Sequence, residues 1–256
     1  MSTRDSAEAQ KRYFAQQSVR SLRGARTHGR KLQVLMETIS PSVFPIVVEL
    51  GSGTGLHAQA LSRKGFRVIA TDLSHEMVYQ VRRRAGAADS LICDAASIPL
   101  RDECADMVFC VATLHHIEDP SLAIKEAHRV LRRGGVIGIA EPNPLNPWIF
   151  FSTFVRWNTE AQRLRLTHWM ISKYLSLAGF VLIRETSIIF LPSGPRGLER
   201  ILDNIERCFE SLPLLQRLGA QNVVKAIKGS ADRDSDCLTH SSARGERARK
   251  TQKSSI

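Results

Sequence analysis

The stretch "VVELGSGTGLHAQAL", Val47 to Leu61, runs from a β-branched apolar segment through three alternate glycines into a helix-like pattern. A strand that breaks into glycines and restarts as a helix exposes backbone at the strand's carboxyl end, so the question is what that backbone holds. A phosphate-binding P-loop would end in Gly-Lys-Ser/Thr, but Leu56 and His57 follow Gly55. A dinucleotide fingerprint would carry its third glycine three positions after the second, where Leu56 stands, so the turn is tighter than a pyrophosphate clamp. Gly51, Gly53 and Gly55, with Ser52 between them, instead let a ligand lie directly on the main chain. Glu49 just upstream repels a diphosphate and attracts an ammonium or a sulfonium.

Working outward, apolar strand-like runs alternate with helical ones: "FPIVVEL", a helix from Gly55 to Lys64, "FRVIATD", a helix from His75 to Arg84, then "ADMVFCVA" and "GVIGIAE". That alternation predicts an α/β fold with a mainly parallel sheet covered by helices. Ser74 is placed to cap one helix, and Asp119 with Pro120 to open another that closes with Arg132, Arg133, Gly134 and Gly135. Asp72, ending the second strand, can accept hydrogen bonds from both hydroxyls of a ribose in the same crevice.

After Glu141 the three prolines of "PNPLNP" stop both kinds of element and lead into an insertion, 143–170, that contains "WIFFSTFVRW". A helix with Ile171, Tyr174, Leu175 and Ala178 on one face follows. It leads to the strand "FVLIRETSIIF", an amphipathic helix near Leu198–Leu212 and a last strand, "NVVKAIK". These signals divide the chain into a helical basic extension (1–40), a core domain (41–228) and a disordered tail (229–256).

The 256 residues carry a net charge of +11. Residues 1–33 hold eight Lys/Arg against two Asp/Glu and residues 228–256 seven against four, leaving 34–227 at about +2. Basic ends suit an anionic neighbour, and solvated tails look the same. The five cysteines lack paired ligand spacing, which predicts neither a disulfide framework nor a metal site, and the absence of a signal-like apolar run predicts a cytoplasmic location.

The motifs "ELGSGTG", "TDLSHEM", "CDAASIPLRDECADMVFCVATLHHI" and "EAHRVLRRGGVIGIAEPNP", in this order, resemble class I S-adenosylmethionine-dependent methyltransferases, above all the quinone-biosynthesis branch. The resemblance covers about residues 45–142. It implies a Rossmann-like, doubly wound, seven-stranded sheet with helices on both faces, and S-adenosyl-L-methionine as cofactor. Gly51, Ser52, Gly53 and Gly55 would face its methionine and ribose, and Glu49 its amino group. Asp72 would take the ribose hydroxyls, Leu73 and Met77 the ribose or adenine, Asp94 and Ala95 the adenine edge, and Val111 and His115 the reactive methyl.

A sulfonium methyl is already activated, so the protein's main task is alignment of a nucleophile, worth about 7–11 kcal/mol when the geometry is good. His115 and His116 of "LHHIED" are the candidate bases, His116 foremost, and either ring can instead serve only to close the pocket. The aromatic insertion reads either as buried core or as a lid over an apolar acceptor such as a quinone, a lipid or a natural product. With basic ends beside it, a transient anionic membrane surface is a second expected partner. Two rival readings remain: a tRNA or RNA methyltransferase, ranked lower because the core is near neutral, and a non-catalytic cofactor-binding assembly or regulatory protein.

Overall fold

The computed structural model describes residues 25–86, 88–155, 161–189 and 217–229, together with 201, 204, 205 and 212. Seven strands form one sheet: β1 (Ile46–Leu50), β2 (Arg67–Asp72), β3 (Asp89–Ile92), β4 (Ala105–Val111), β5 (Leu131–Pro142), β6 (Phe180–Ile188) and β7 (Gln221–Lys228). Their order is β3-β2-β1-β4-β5-β7-β6, parallel except for β7, which runs antiparallel to both neighbours. The chain winds outward from β1 in one direction and from β4 in the other, so the crevice at their carboxyl ends is the topological switch point where such sheets bind ligands.

Both faces are covered, and side-chain alternation sorts the core. Val47, Met107 and Phe109 point to one layer, where they meet α1 (Ala25–Leu35), α2 (Leu56–Ser62) and α3 (His75–Arg84) through Leu35, Leu61 and Val81. Val48, Val108 and Cys110 point to the other, against α4 (Pro120–Val130) and α6 (His168–Leu177) through Ile124, Ala127, Ile171 and Leu175. Near-continuous apolar strands follow from burial on both faces.

The predicted caps form: the Met77 amide donates to Ser74 Oγ and the Ser121 amide to the Asp119 carboxylate. Helix α4, however, stops at Val130 rather than running to the glycine pair. Leu131 already pairs with Ala105 and is fully buried, so the strand claims it. Strand β3 carried no sequence signal because it is short and lies at the sheet edge, with none of its four residues buried. Leu32, Val34 and Leu35 of helix α1 belong to the same core as Val47 and Phe109. Residues 1–24, nearly all of the tail from 229 and most of the expected helix near 198–212 lie outside the described residues.

Within the insertion, α5 (Pro147–Val155) follows the proline turn, and a short 3-10 turn spans Ala161–Leu164. The burial reading of the aromatic cluster fails for α5. Trp148, Phe150, Phe151 and Phe154 are all more than half exposed, and only Thr153 is buried. Asn143 and Asn146 donate to the carbonyls of Arg217, Gly219 and Leu218, fastening the start of the insertion to the entry of β7.

Candidate functional site

The glycine loop closes at the carboxyl end of β1 with left-handed dihedrals that glycine tolerates best. At Gly51, φ 67, an added Cβ would collide with the Thr113 side chain, and at Gly55, φ 77, it would press to 3.0 Å on the Val81 backbone. At Gly53 the corresponding space is open, so a ligand can lie against the chain there. Asp72 closes the loop from β2: its two carboxylate oxygens accept the amides of Gly53 and Ser74, each at 2.9 Å. Burial pushes the Asp72 carboxyl up, and these backbone bonds counter it.

A cleft opens on this loop. Gly51, Gly53, Asp72, Leu73 and Met77 line one side, Cys93, Asp94 and Ala95 the next, and Ala112, Thr113, His116 and Ile117 the far wall. Most of the residues expected at a cofactor are therefore brought together from four separate strand ends. Glu49 and Ser52 sit buried beneath the loop, Gly55 turns toward α3, and Val111 and His115 stand behind Ala112 and His116 rather than in the cleft wall.

Two buried carboxylates flank the centre, each backed by a histidine. Glu49 Oε1 lies 3.0 Å from His57 Nδ1, while its Oε2 is buried without a partner. Burial raises the Glu49 carboxyl and the His57 contact opposes that. The unpartnered oxygen suits an ammonium, and His57 in turn lies 3.3 Å from His28 Nδ1 on α1. An ionised Glu49 makes His57 Nδ1 the donor, which leaves His57 Nε2 to accept from His28.

The second carboxylate, Glu141, ends β5. Its Oε1 accepts the Thr113 and Leu114 amides at 2.8 and 2.7 Å, and its Oε2 is 2.6 Å from His115 Nδ1. Burial would raise its pKa, but the His115 ring and the bonds bring it below the ordinary value. Glu141 thus holds the loop in which Ala112 takes a left-handed φ of 54. The His116 ring lies tilted against His115, with centroids 3.9 Å apart, and contacts Gln162 Oε1 at 3.2 Å. Burial, then His115, hold the His116 imidazole down to about 3. Sequence reasoning missed the roles of His28, His57 and Glu141. For Glu141 a signal existed, an acid ending an otherwise apolar central strand.

Asp72, the glycine loop and the unpartnered Glu49 oxygen fit a ligand with ribose hydroxyls and an ammonium, which is the donor set S-adenosylmethionine needs. The seven-stranded sheet and the cleft at its switch point have the Rossmann-like methyltransferase fold. Residues 48–139 match the family described as a methyltransferase domain. Among curated relatives, a malonyl-[acyl-carrier protein] O-methyltransferase of Hamiltonella defensa is 35% identical over 91 residues, which are 36% of this chain. The match spans only 35% of that relative's own length. A solved possible histamine N-methyltransferase from Thermotoga maritima superposes with TM-score 0.64 at 21% identity, covering 85% of this chain and 97% of that one. The Burkholderia thailandensis 1,6-didemethyltoxoflavin-N1-methyltransferase, solved with S-adenosylhomocysteine, superposes with TM-score 0.58 at 15% identity, covering 90% and 92%. No described helix is long and apolar enough to cross a membrane, and among the described residues no cluster of His, Cys, Asp or Glu could hold a metal.

Proposed function

We propose that the protein transfers a methyl group from S-adenosylmethionine to an oxygen, nitrogen or carbon nucleophile of a small acceptor with an apolar body. The observation that carries this reading is the cleft at the carboxyl ends of β1 and β2, lined by Gly51, Gly53, Asp72 and Leu73, where Asp72 accepts the Gly53 amide. The cofactor supplies a sulfonium-activated methyl. Asp72 binds the ribose hydroxyls, Glu49 the amino group, and Leu73, Met77, Asp94 and Ala95 enclose the adenine.

His116 forms the wall toward the acceptor. Its depressed pKa leaves it neutral at physiological pH and a weak proton acceptor, so it aligns the acceptor by hydrogen bonding more than it deprotonates it. His115, fixed by Glu141, stands behind it and sets its position. The exposed aromatics of α5, an element in contact with the 161–164 turn that packs on the His115–His116 segment, support an apolar acceptor. They also support transient contact with an anionic membrane surface, because Trp and Phe partition to the interface and net positive charge draws the protein there.

Methyl-labelled cofactor incubated with the protein and whole-cell extract tests the reading. Label partitioning into organic solvent is the expected result. Label in precipitated RNA would replace this acceptor class with nucleic acid, and absence of transfer from a protein that binds the cofactor would identify a non-catalytic assembly or regulatory role.

A further inference from the structure

Behind the glycine loop stands a row of three side chains that are not part of the cleft wall. Glu49 ends the row. It is 1% exposed, its Oε1 lies 3.0 Å from His57 Nδ1, and its Oε2 is buried without a partner. His57 comes from the first turn of α2, two residues after Gly55. Its Nε2 lies 3.3 Å from Nδ1 of His28, which α1 supplies.

Packing holds the two rings in place. The His57 ring meets the fully buried Phe109 edge-on, with centroids 6.2 Å apart and 74° between the planes, and its centroid lies 5.3 Å from that of His28. His28 shares a face of α1 with Leu32 and Leu35, and both leucines belong to the core that contains Val47 and Phe109. The proton positions follow from the carboxylate. An ionised Glu49 can only accept, so His57 donates from Nδ1 and accepts at Nε2, and His28 donates from Nδ1. Burial brings His28 down to about 4, so its ring is neutral at physiological pH and carries the single N–H this order needs. A carboxylate this deep is costly unless it is hydrogen-bonded. Burial pushes the Glu49 carboxyl up, and His57 comes first among the groups that counter it.

We propose that His57 and His28 are positioning residues for the cofactor's amino group: they hold the Glu49 carboxylate so that its second oxygen takes the ammonium, and the seating of α1 thereby sets cofactor affinity. This rests on the reading in which Glu49 binds the amino group of S-adenosylmethionine, and it gives α1 a part in that binding. A purely structural role for the two rings would disturb every ligand of the cleft alike. A positioning role is confined to ligands that carry the ammonium.

The test is calorimetry on the full chain with two probes: S-adenosylhomocysteine, and its desamino analogue, which keeps the adenosine, thioether and carboxylate and lacks only the ammonium. The unaltered protein should bind S-adenosylhomocysteine at least about tenfold tighter than the analogue. His57→Leu should cut that preference to under about threefold while affinity for the analogue stays within about twofold. His57→Asn, whose amide nitrogen stands near the place of Nδ1, should recover part of the preference. His28→Leu, which leaves His57 itself unaltered, should reduce it at least about threefold. A preference that survives intact in His57→Leu overturns the assignment, and so does a loss shared equally by both probes. If His57→Leu does not fold, an unchanged preference in His28→Leu overturns it. Equal binding of the two probes by the unaltered protein also overturns it and leaves methyl transfer standing. Failure of the unaltered protein to bind S-adenosylhomocysteine removes the methyl-transfer reading itself.

Discussion

Single residues decide whether the cofactor site exists. Gly51 holds φ 67 with its α-hydrogens against Thr113, so Gly51→Ala combines a left-handed strain of about 1–2 kcal/mol with a steric collision. We expect a lower thermal midpoint together with loss of S-adenosylhomocysteine binding by calorimetry. Asp72→Ala separates binding from folding. It removes charge-assisted hydrogen bonds worth about 1.5–3 kcal/mol each, so affinity should fall at least tenfold while the circular dichroism spectrum is kept. Both residues were legible in the sequence, since a glycine pattern and a strand-terminal acid are local signals. His28 was not, because nothing near it in the chain announces that α1 will lay its inner face against β5 and the glycine loop.

Among the elements, α1 and α5 make opposite predictions. Leu35 is fully buried between α1 and the sheet, so Leu35→Ala should cost about 2–5 kcal/mol in urea unfolding. A shift under 0.5 kcal/mol would remove α1 from the core. Helix α5 displays its aromatics to solvent, and replacing Trp148, Phe150 and Phe151 together by Ser should leave the unfolding midpoint nearly unchanged. The same change should reduce sedimentation with anionic phosphatidylglycerol vesicles at least fivefold. Composition alone favoured burial for such a run. Exposure became visible only in the structure, where α5 packs on the 161–164 turn and buries a single residue, Thr153.

At the scale of the whole molecule, pH reports on the buried polar centre. Burial, with neighbouring positive charge, lowers His28 to about 4 and His116 to about 3, from an ordinary value of 6.5. Below 6.5 the unfolded chain takes up protons that the folded chain refuses, so these groups cost nothing above that pH and destabilise progressively as it falls toward about 4 and then 3. The buried Glu49 and Asp72 carboxyls, raised above their ordinary values, act in the opposite sense at the acid end. Urea midpoints taken across this range should decline below pH 6.5, with a shallower decline in His28→Gln. By itself the sequence determined the alternation of strands and helices, the glycine turn and the acid that ends β2, because apolar periodicity, caps and left-handed turns are written in neighbouring residues. The tertiary structure alone decided which charges share the centre. Glu49 and His57 of the glycine-loop region, His28 of α1, and the pair Glu141 and His115 come from distant parts of the chain and meet only where both layers converge on the ends of β1, β4 and β5, in surroundings dry enough for their charges to matter.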